Sequence, residues 1–115
     1  MASKSTQEPA VVGYWSRSPD DPTLPYPEAR PSPWAGQANF VARLKAIEED
    51  IRARRTGTLT AYRGWSMCRL CQVPNGNEEF EYGGFRWPGG FLHYVEAHNV
   101  QPPDAFVDAI LAGKP

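Results

Sequence analysis

The sequence predicts a small α+β protein in which an extended N-terminal arm precedes a single domain. Three observations predict this: prolines crowd the first third of the chain, apolar residues later recur at helical spacing, and two β-favouring segments flank a glycine pair. The 115 residues suffice for one domain with a modest core. A composition of 41% hydrophobic and 22% charged residues is typical of a globular protein.

The N-terminal third divides into a leader and an arm. Residues 1–9 contain no apolar run, so we expect a flexible leader and no secretory signal peptide. Prolines recur through residues 10–36, where they exclude a long helix and favour polyproline II and turns. Tyr14, Trp15 and Trp34 lie among these prolines, and we expect such aromatic residues to hold the arm against the domain.

A helix is predicted over residues 37–55. Its apolar residues form one stripe at positions i, i+4, i+7 and i+11: Phe40, Leu44, Ile47 and Ile51. Arginines in the last turn suit the negative end of the helix dipole. Gly57 is placed to cap the helix.

Three strands are predicted next. Residues 58–67 are rich in β-branched and aromatic residues, whereas 78–82 alternate acidic with aromatic residues, as a strand with one solvated face does. The cluster 74–77 between them has turn composition. Gly83 and Gly84 suit a two-residue hairpin turn into a return strand at 85–87.

Two short helices are predicted to complete the chain. Pro88 ends the return strand and suits the first turn of a helix that reaches Asn99. Pro102 and Pro103 begin a last helix, which Gly113 closes. The apolar stripe of that helix consists of Phe106, Val107, Ile110 and Leu111.

All cysteines and histidines of the chain lie in two pairs. Cys68 and Cys71 form a C-x2-C pair, and His93 and His98 form an H-x4-H pair on the predicted helix. Zn²⁺ takes four such ligands in a tetrahedron. Five residues turn about 140° on an ideal helix, so His98 needs a tightened or frayed last turn to face the same way as His93. The pattern predicts one structural Zn²⁺ bound by Cys68, Cys71, His93 and His98.

Other interpretations of these residues stay open at this point. The cysteines could be small core residues or a redox dithiol, although the βαβ pattern of redox dithiols is not evident. His93 could be a core histidine and His98 a surface one. A catalytic zinc needs an open position, which four ligands would fill, and Glu96 could act as a base only if one ligand were missing. A cysteine–histidine nucleophile pair is possible in principle.

The order of strand, C-x2-C, hairpin and histidine-bearing helix is that of a ββα zinc finger. The fold class is therefore α+β: a small zinc-stabilised ββα-like module with an extra N-terminal helix, a C-terminal helix and an extended Pro-rich arm. We expect residues 37–113 to form this single zinc-binding domain.

Nucleic acid is the less favoured partner. The net charge is −1, and the predicted hairpin carries Glu78, Glu79 and Glu81, which repel phosphate. Four arginines nevertheless lie close together and could bind phosphate: Arg52, Arg54, Arg55 and Arg63. The three aromatic residues Trp65, Phe85 and Trp87 could stack bases, but packing around the zinc is the preferred interpretation.

The favoured function is a non-catalytic, zinc-stabilised interaction module that binds a protein partner. Exposed tryptophan and tyrosine side chains are typical anchors of protein interfaces. We expect no enzymatic activity. The longest apolar runs are too short to span a membrane, and the absence of a signal peptide indicates a cytoplasmic location.

The sequence also resembles a group of small bacterial proteins with no known activity. The resemblance is carried by the C-x2-C pair, by Trp87-Pro88-Gly89-Gly90 (W-P-x-G) and by His93-Tyr94-Val95 with His98 (H-Y-V-x2-H). It extends to Gly13-Tyr14-Trp15 and covers residues 11–112. One departure is Gln72, where the resembled proteins often have glycine. The resemblance implies the zinc-finger-like module and adds nothing on activity.

Overall fold

The computed structural model describes residues 9–16, 18, 20 and 22–112. The elements in chain order are β1 (Ala10–Val11), α1 (Gln37–Arg52), β2 (Thr58–Met67), β3 (Pro74–Tyr82), β4 (Phe85–Pro88), α2 (Phe91–His98) and α3 (Asp104–Ala112). The predicted α+β class, with one helix before and one after the strand–helix module, is confirmed. The predicted leader lies outside the described residues except for Pro9, and so does Gly113.

The four strands form one sheet in the order β1-β4-β3-β2. β2 and β3 are antiparallel, as are β3 and β4, whereas β1 runs parallel to β4. Gly83 and Gly84 join β3 to β4 with positive φ angles of 61° and 86°, which a two-residue hairpin turn requires of both central residues. The short strand β1 was not predicted, since its two residues were assigned to the extended arm.

One face of the sheet packs against the helices and the other is open. Leu59, Phe80 and Trp87 are neighbours across β2, β3 and β4, and their side chains point into the core. Glu79 and Arg86, each one residue away along a strand, point to the opposite face. The centre of the core is Phe106 of α3. Its ring lies 5.2–5.8 Å from the rings of four aromatic residues: Phe40, Phe85, Trp87 and Phe91.

The core also contains a carboxyl group. Glu48 of α1 is 3% exposed and accepts a hydrogen bond of 2.9 Å from Trp87 Nε1. Burial raises the pKa of Glu48 to about 7, although the Trp87 bond and the Arg52 guanidinium act in the opposite direction. The i, i+4 spacing of Glu48 and Arg52 is typical of a pair on the helix surface, but this pair is long at 3.9 Å.

The end of α1 differs from the prediction. The helix stops at Arg52, three residues early, and Arg54 takes the left-handed conformation with φ of 64°. The N–H groups of Arg55 and Arg54 donate to the carbonyl oxygens of Asp50 and Ile51, which is a Schellman ending. Arg54 therefore closes the helix, and the prediction that Gly57 caps it is wrong.

The predicted turn at 74–77 is also wrong. These residues begin β3, because the chain has already reversed between Cys68 and Val73, where the Cys68 N–H donates to the Val73 carbonyl. Pairing between β2 and β3 is irregular between Ala61 and Met67, so the turn-forming residues are absorbed into a distorted part of the ladder. Pro88 ends β4, but it lies outside α2, which begins at Phe91.

Candidate metal centre

The two cysteines lie in a tight turn between β2 and β3. Besides the Cys68 N–H bond to Val73, the Gln72 N–H donates to the Cys68 carbonyl at 2.9 Å. The Leu70 N–H points at Cys68 Sγ, 3.3 Å away. Cys68 is fully buried and Cys71 is exposed, and neither forms a disulfide. The turn thus presents two free thiols to the same space.

Gln72 occupies an unusual position in this turn. Its φ angle is 64°, in the left-handed region that non-glycine residues rarely adopt. Glycine has no Cβ and takes this conformation at no steric cost. The resembled proteins' glycine after the second cysteine therefore suits the same backbone, and Gln72 leaves the turn intact.

α2 brings both histidines to the cysteines. His98 is the last helical residue, and Asn99 follows in the left-handed conformation with φ of 56°. The Asn99 N–H donates to both Tyr94 and Val95 carbonyl oxygens, and the Val100 N–H also reaches Tyr94. The last turn is therefore widened, whereas a tightened or frayed turn was expected. The imidazole rings lie 5.2 Å apart.

The four side chains form one cluster. Sγ of Cys68 lies 3.4 Å from Nε2 of His98, and Sγ of Cys71 lies 3.4 Å from Nε2 of His93. One ligand atom from each residue lies within 4.8 Å of all the others. Two zinc-bound atoms with bonds of about 2.3 Å to sulfur and 2.0–2.1 Å to nitrogen are separated by about 3.5 Å along a tetrahedron edge. These four residues could therefore hold a metal ion.

Neighbouring residues fix the cluster from both sides. The hydroxyl of Tyr94, on α2, accepts a hydrogen bond of 2.6 Å from the Arg69 N–H in the cysteine turn. Tyr26 of the arm donates to the Arg69 carbonyl at 3.3 Å, and the ring of Trp15 contacts that of Tyr94 at 5.7 Å. Sequence reasoning missed this role of Tyr94; its position beside the first histidine in H-Y-V was the available signal.

The pKa of His93 suits a metal ligand. Burial lowers the pKa of His93 below its usual value, and the nearby His98 lowers it further. A lower pKa favours the neutral imidazole, which is the form that coordinates metals.

The structure also locates the residues of the predicted phosphate patch. Arg52 donates two hydrogen bonds to Glu78, and Arg55 lies 2.7 Å from Asp50. Arg54 lies two residues beyond the end of α1, and Arg63 lies on β2. Two of the four arginines therefore already have a carboxylate partner.

The three aromatic residues Trp65, Phe85 and Trp87 do not lie together, either at the cysteine turn or on one exposed surface. Trp87 is fully buried against Phe80 and Phe106, and Phe85 also packs on Phe106. Trp65 is 63% exposed. The preferred interpretation, that the three pack around the zinc, is wrong because the β3–β4 hairpin carries two of them into the main core.

Fold and cluster together define a small α+β protein with a Cys2His2 site able to hold a metal ion. The chain belongs to the family described as Domain of unknown function (DUF7919), which matches residues 21–111. That description contains no metal and no activity, so it fits the resemblance without confirming its zinc-finger motif. No curated protein and no solved structure matches the chain significantly. Among the described residues, no helix is long and apolar enough to cross a membrane.

Proposed function

We propose that Cys68, Cys71, His93 and His98 bind one Zn²⁺ ion and that this ion is structural. The observation that carries the proposal is the meeting of four ligand atoms, within 4.8 Å of one another, from two segments more than 20 residues apart. Two thiolates and two imidazoles are a donor set that structural zinc sites use. Carboxylate-preferring ions such as Mg²⁺ and Ca²⁺ do not suit it.

The ion would join the cysteine turn to α2. When bound, it supplies a tetrahedral crosslink between the β2–β3 turn and the widened end of the helix. Four protein ligands leave no position for a reacting water, which argues for a non-catalytic role. Glu96, the one candidate base between the histidines, is exposed and lies 2.9 Å from Lys45 Nζ.

We further propose that the protein is an interaction module for a protein partner. Support comes from four large exposed side chains on β2 and in the turn that follows it: Tyr62, Trp65, Met67 and Val73. Tyr62 and Trp65 line one hollow, and large exposed apolar residues that lie together are typical of interaction sites. We place this function in the cytoplasm, where cysteines stay reduced and available to a metal.

The metal proposal is tested by native mass spectrometry of the purified chain. We expect one zinc per chain in the wild type and in Glu96→Gln, which alters α2 between the two ligands. His98→Ala removes one of four ligands, so we expect the zinc content to fall by more than about tenfold at equal free zinc.

Three results would count against the metal proposal. These are wild-type protein that takes up no zinc, His98→Ala that retains zinc fully, and Glu96→Gln that loses it as His98→Ala does. For the interaction role, affinity for a DNA oligonucleotide that falls steeply with salt and disappears in Arg54→Ala/Arg63→Ala would favour the nucleic-acid alternative instead.

A further inference from the structure

Two tyrosines converge on one carboxylate on the open face of the sheet. Glu79 of β3 accepts a hydrogen bond of 2.8 Å from the hydroxyl of Tyr62, on β2, through Oε1. Its Oε2 accepts a second bond from the hydroxyl of Tyr14, on the arm. Segments from either side of β3 are thus tied to the same side chain, which positions both rings before any ligand arrives.

These bonds also keep the two tyrosine hydroxyls protonated. Burial and the bond to Glu79 raise the pKa of Tyr14, and the bond to Glu79 raises that of Tyr62. Both hydroxyls therefore stay protonated and donate. In the part of the chain that the structure describes, Glu79 has no lysine or arginine within ion-pair distance. Arg86, on the same face, lies 3.6 Å from Glu81, and its positive charge also acts on Tyr14 and Tyr62, where it opposes the rise in pKa.

A hollow of about 300 Å³ opens beside these tyrosines. Its aromatic walls are Tyr14, Tyr62 and Trp65, and among the described residues no lysine or arginine lines it. Glu78 also lines the hollow, but its carboxylate already binds Arg52. Within β2, residues 62–65 have no ladder partners on β3, and Gly64 leaves open space above its Cα. An extended chain segment can therefore approach β2 closely here.

We infer that this hollow binds a cationic side chain, lysine or arginine, on an extended segment of the partner protein. The inference deepens the proposed interaction function and rests on it. The faces of tyrosine and tryptophan rings attract cations, and Glu79 supplies a negative charge at the ends of both tyrosines. An apolar side chain in the same place would contact the aromatic rings without offering them a positive charge.

The test uses the zinc-loaded protein and an acetylated, amidated peptide of sequence Gly-Ser-Ser-Lys-Ser-Ser-Gly. The control peptide has norleucine in place of lysine, which keeps the alkyl chain and removes the charge. We follow the indole N–H signal of Trp65 in two-dimensional ¹H–¹⁵N NMR spectra. We expect the lysine peptide to shift this signal and to bind at least about fivefold more tightly than the norleucine peptide.

Variants separate the hollow from general charge effects. Glu79→Gln should weaken lysine-peptide binding about fivefold or more, whereas Glu81→Gln, the same change two residues along the same face, should alter it less than about twofold. Trp65→Leu keeps an apolar side chain at an exposed position and, followed through the backbone amide signal of Gly64 in the same hollow, should weaken binding about two- to fivefold. Agreement with all three expectations supports the inference.

The contrary results are equally definite. The inference fails if norleucine binds as tightly as lysine, if the Trp65 signal does not move, or if Glu81→Gln weakens binding as much as Glu79→Gln. Zinc content is measured on the same samples. If the lysine peptide does not bind but one zinc is present, the metal proposal stands; if the peptide binds protein that holds no zinc, the metal proposal fails alone.

Discussion

Removal of the proposed Zn²⁺ is expected to unfold the cysteine turn and the end of α2, within residues 60–100. These residues contain the cysteine turn, the irregular part of β2–β3 and the eight-residue α2. Among the described residues, the second buried cluster, around the cysteine turn, consists of Cys68, Tyr94 and Val100 with Trp15 and Leu70 partly buried against them, so little apolar burial replaces the crosslink. Structural zinc contributes on the order of 10 kcal/mol in small domains, against a total stability of about 5–15 kcal/mol.

The measurement is a two-dimensional ¹H–¹⁵N spectrum before and after chelation, with metal content read in parallel. We expect the amide signals of α2 and the cysteine turn to collapse to unfolded positions and to return when Zn²⁺ is added. Cys68→Ser should resemble the chelated protein. Gln72→Gly changes the same turn without removing a ligand and should keep its spectrum. Metal-free protein with a fully dispersed spectrum would contradict the account.

The second large effect concerns Glu48, and its sign follows from the raised pKa. A carboxyl with a pKa of about 7 when folded and 4.5 when unfolded takes up a proton on folding between these values. Its contribution to stability is therefore present below about pH 4.5 and is lost as the pH rises through about 7. Glu48→Gln cannot titrate and keeps an oxygen that accepts from Trp87 Nε1.

Urea unfolding of wild type and variant at two pH values measures this effect. From about pH 5 to about pH 8, the stability of Glu48→Gln should rise relative to wild type by about 2–3 kcal/mol. The pH-dependent contribution of the metal ligands cancels, because both proteins contain them. Glu49→Gln, the same change at the exposed neighbour, should show a shift below about 0.5 kcal/mol. A shift for Glu48→Gln no larger than that of Glu49→Gln would mean that Glu48 is ionised freely in the folded protein.

The local patterns of the sequence predict most of the fold. The stripe from Phe40 to Ile51 fixes the buried side of α1, and all four of its residues are buried. β2 occupies the predicted residues 58–67, and the glycine pair turns the chain where expected. The four ligand candidates are brought together as the spacing of their two pairs predicts. Each of these features depends on residues close in sequence or on the few side-chain types that bind zinc.

What the sequence could not predict depends on contacts between distant residues. The turn composition of residues 74–77 was overridden because the cysteine turn reverses the chain before them. Trp87 donates to Glu48 across 39 positions, and Tyr14 donates to Glu79 across 65. A glutamate followed by an arginine at i+4 has the pattern of a surface pair, and only the packing of the hairpin on α1 buries it.

The most direct test of the central claim is X-ray absorption at the zinc edge of the zinc-loaded protein. The account predicts two sulfur neighbours at about 2.3 Å and two nitrogen neighbours at about 2.0–2.1 Å, with imidazole scattering and no oxygen in the first shell. A site with a water oxygen and only three protein ligands would contradict the structural role, and a zinc ion without sulfur neighbours would remove the site altogether.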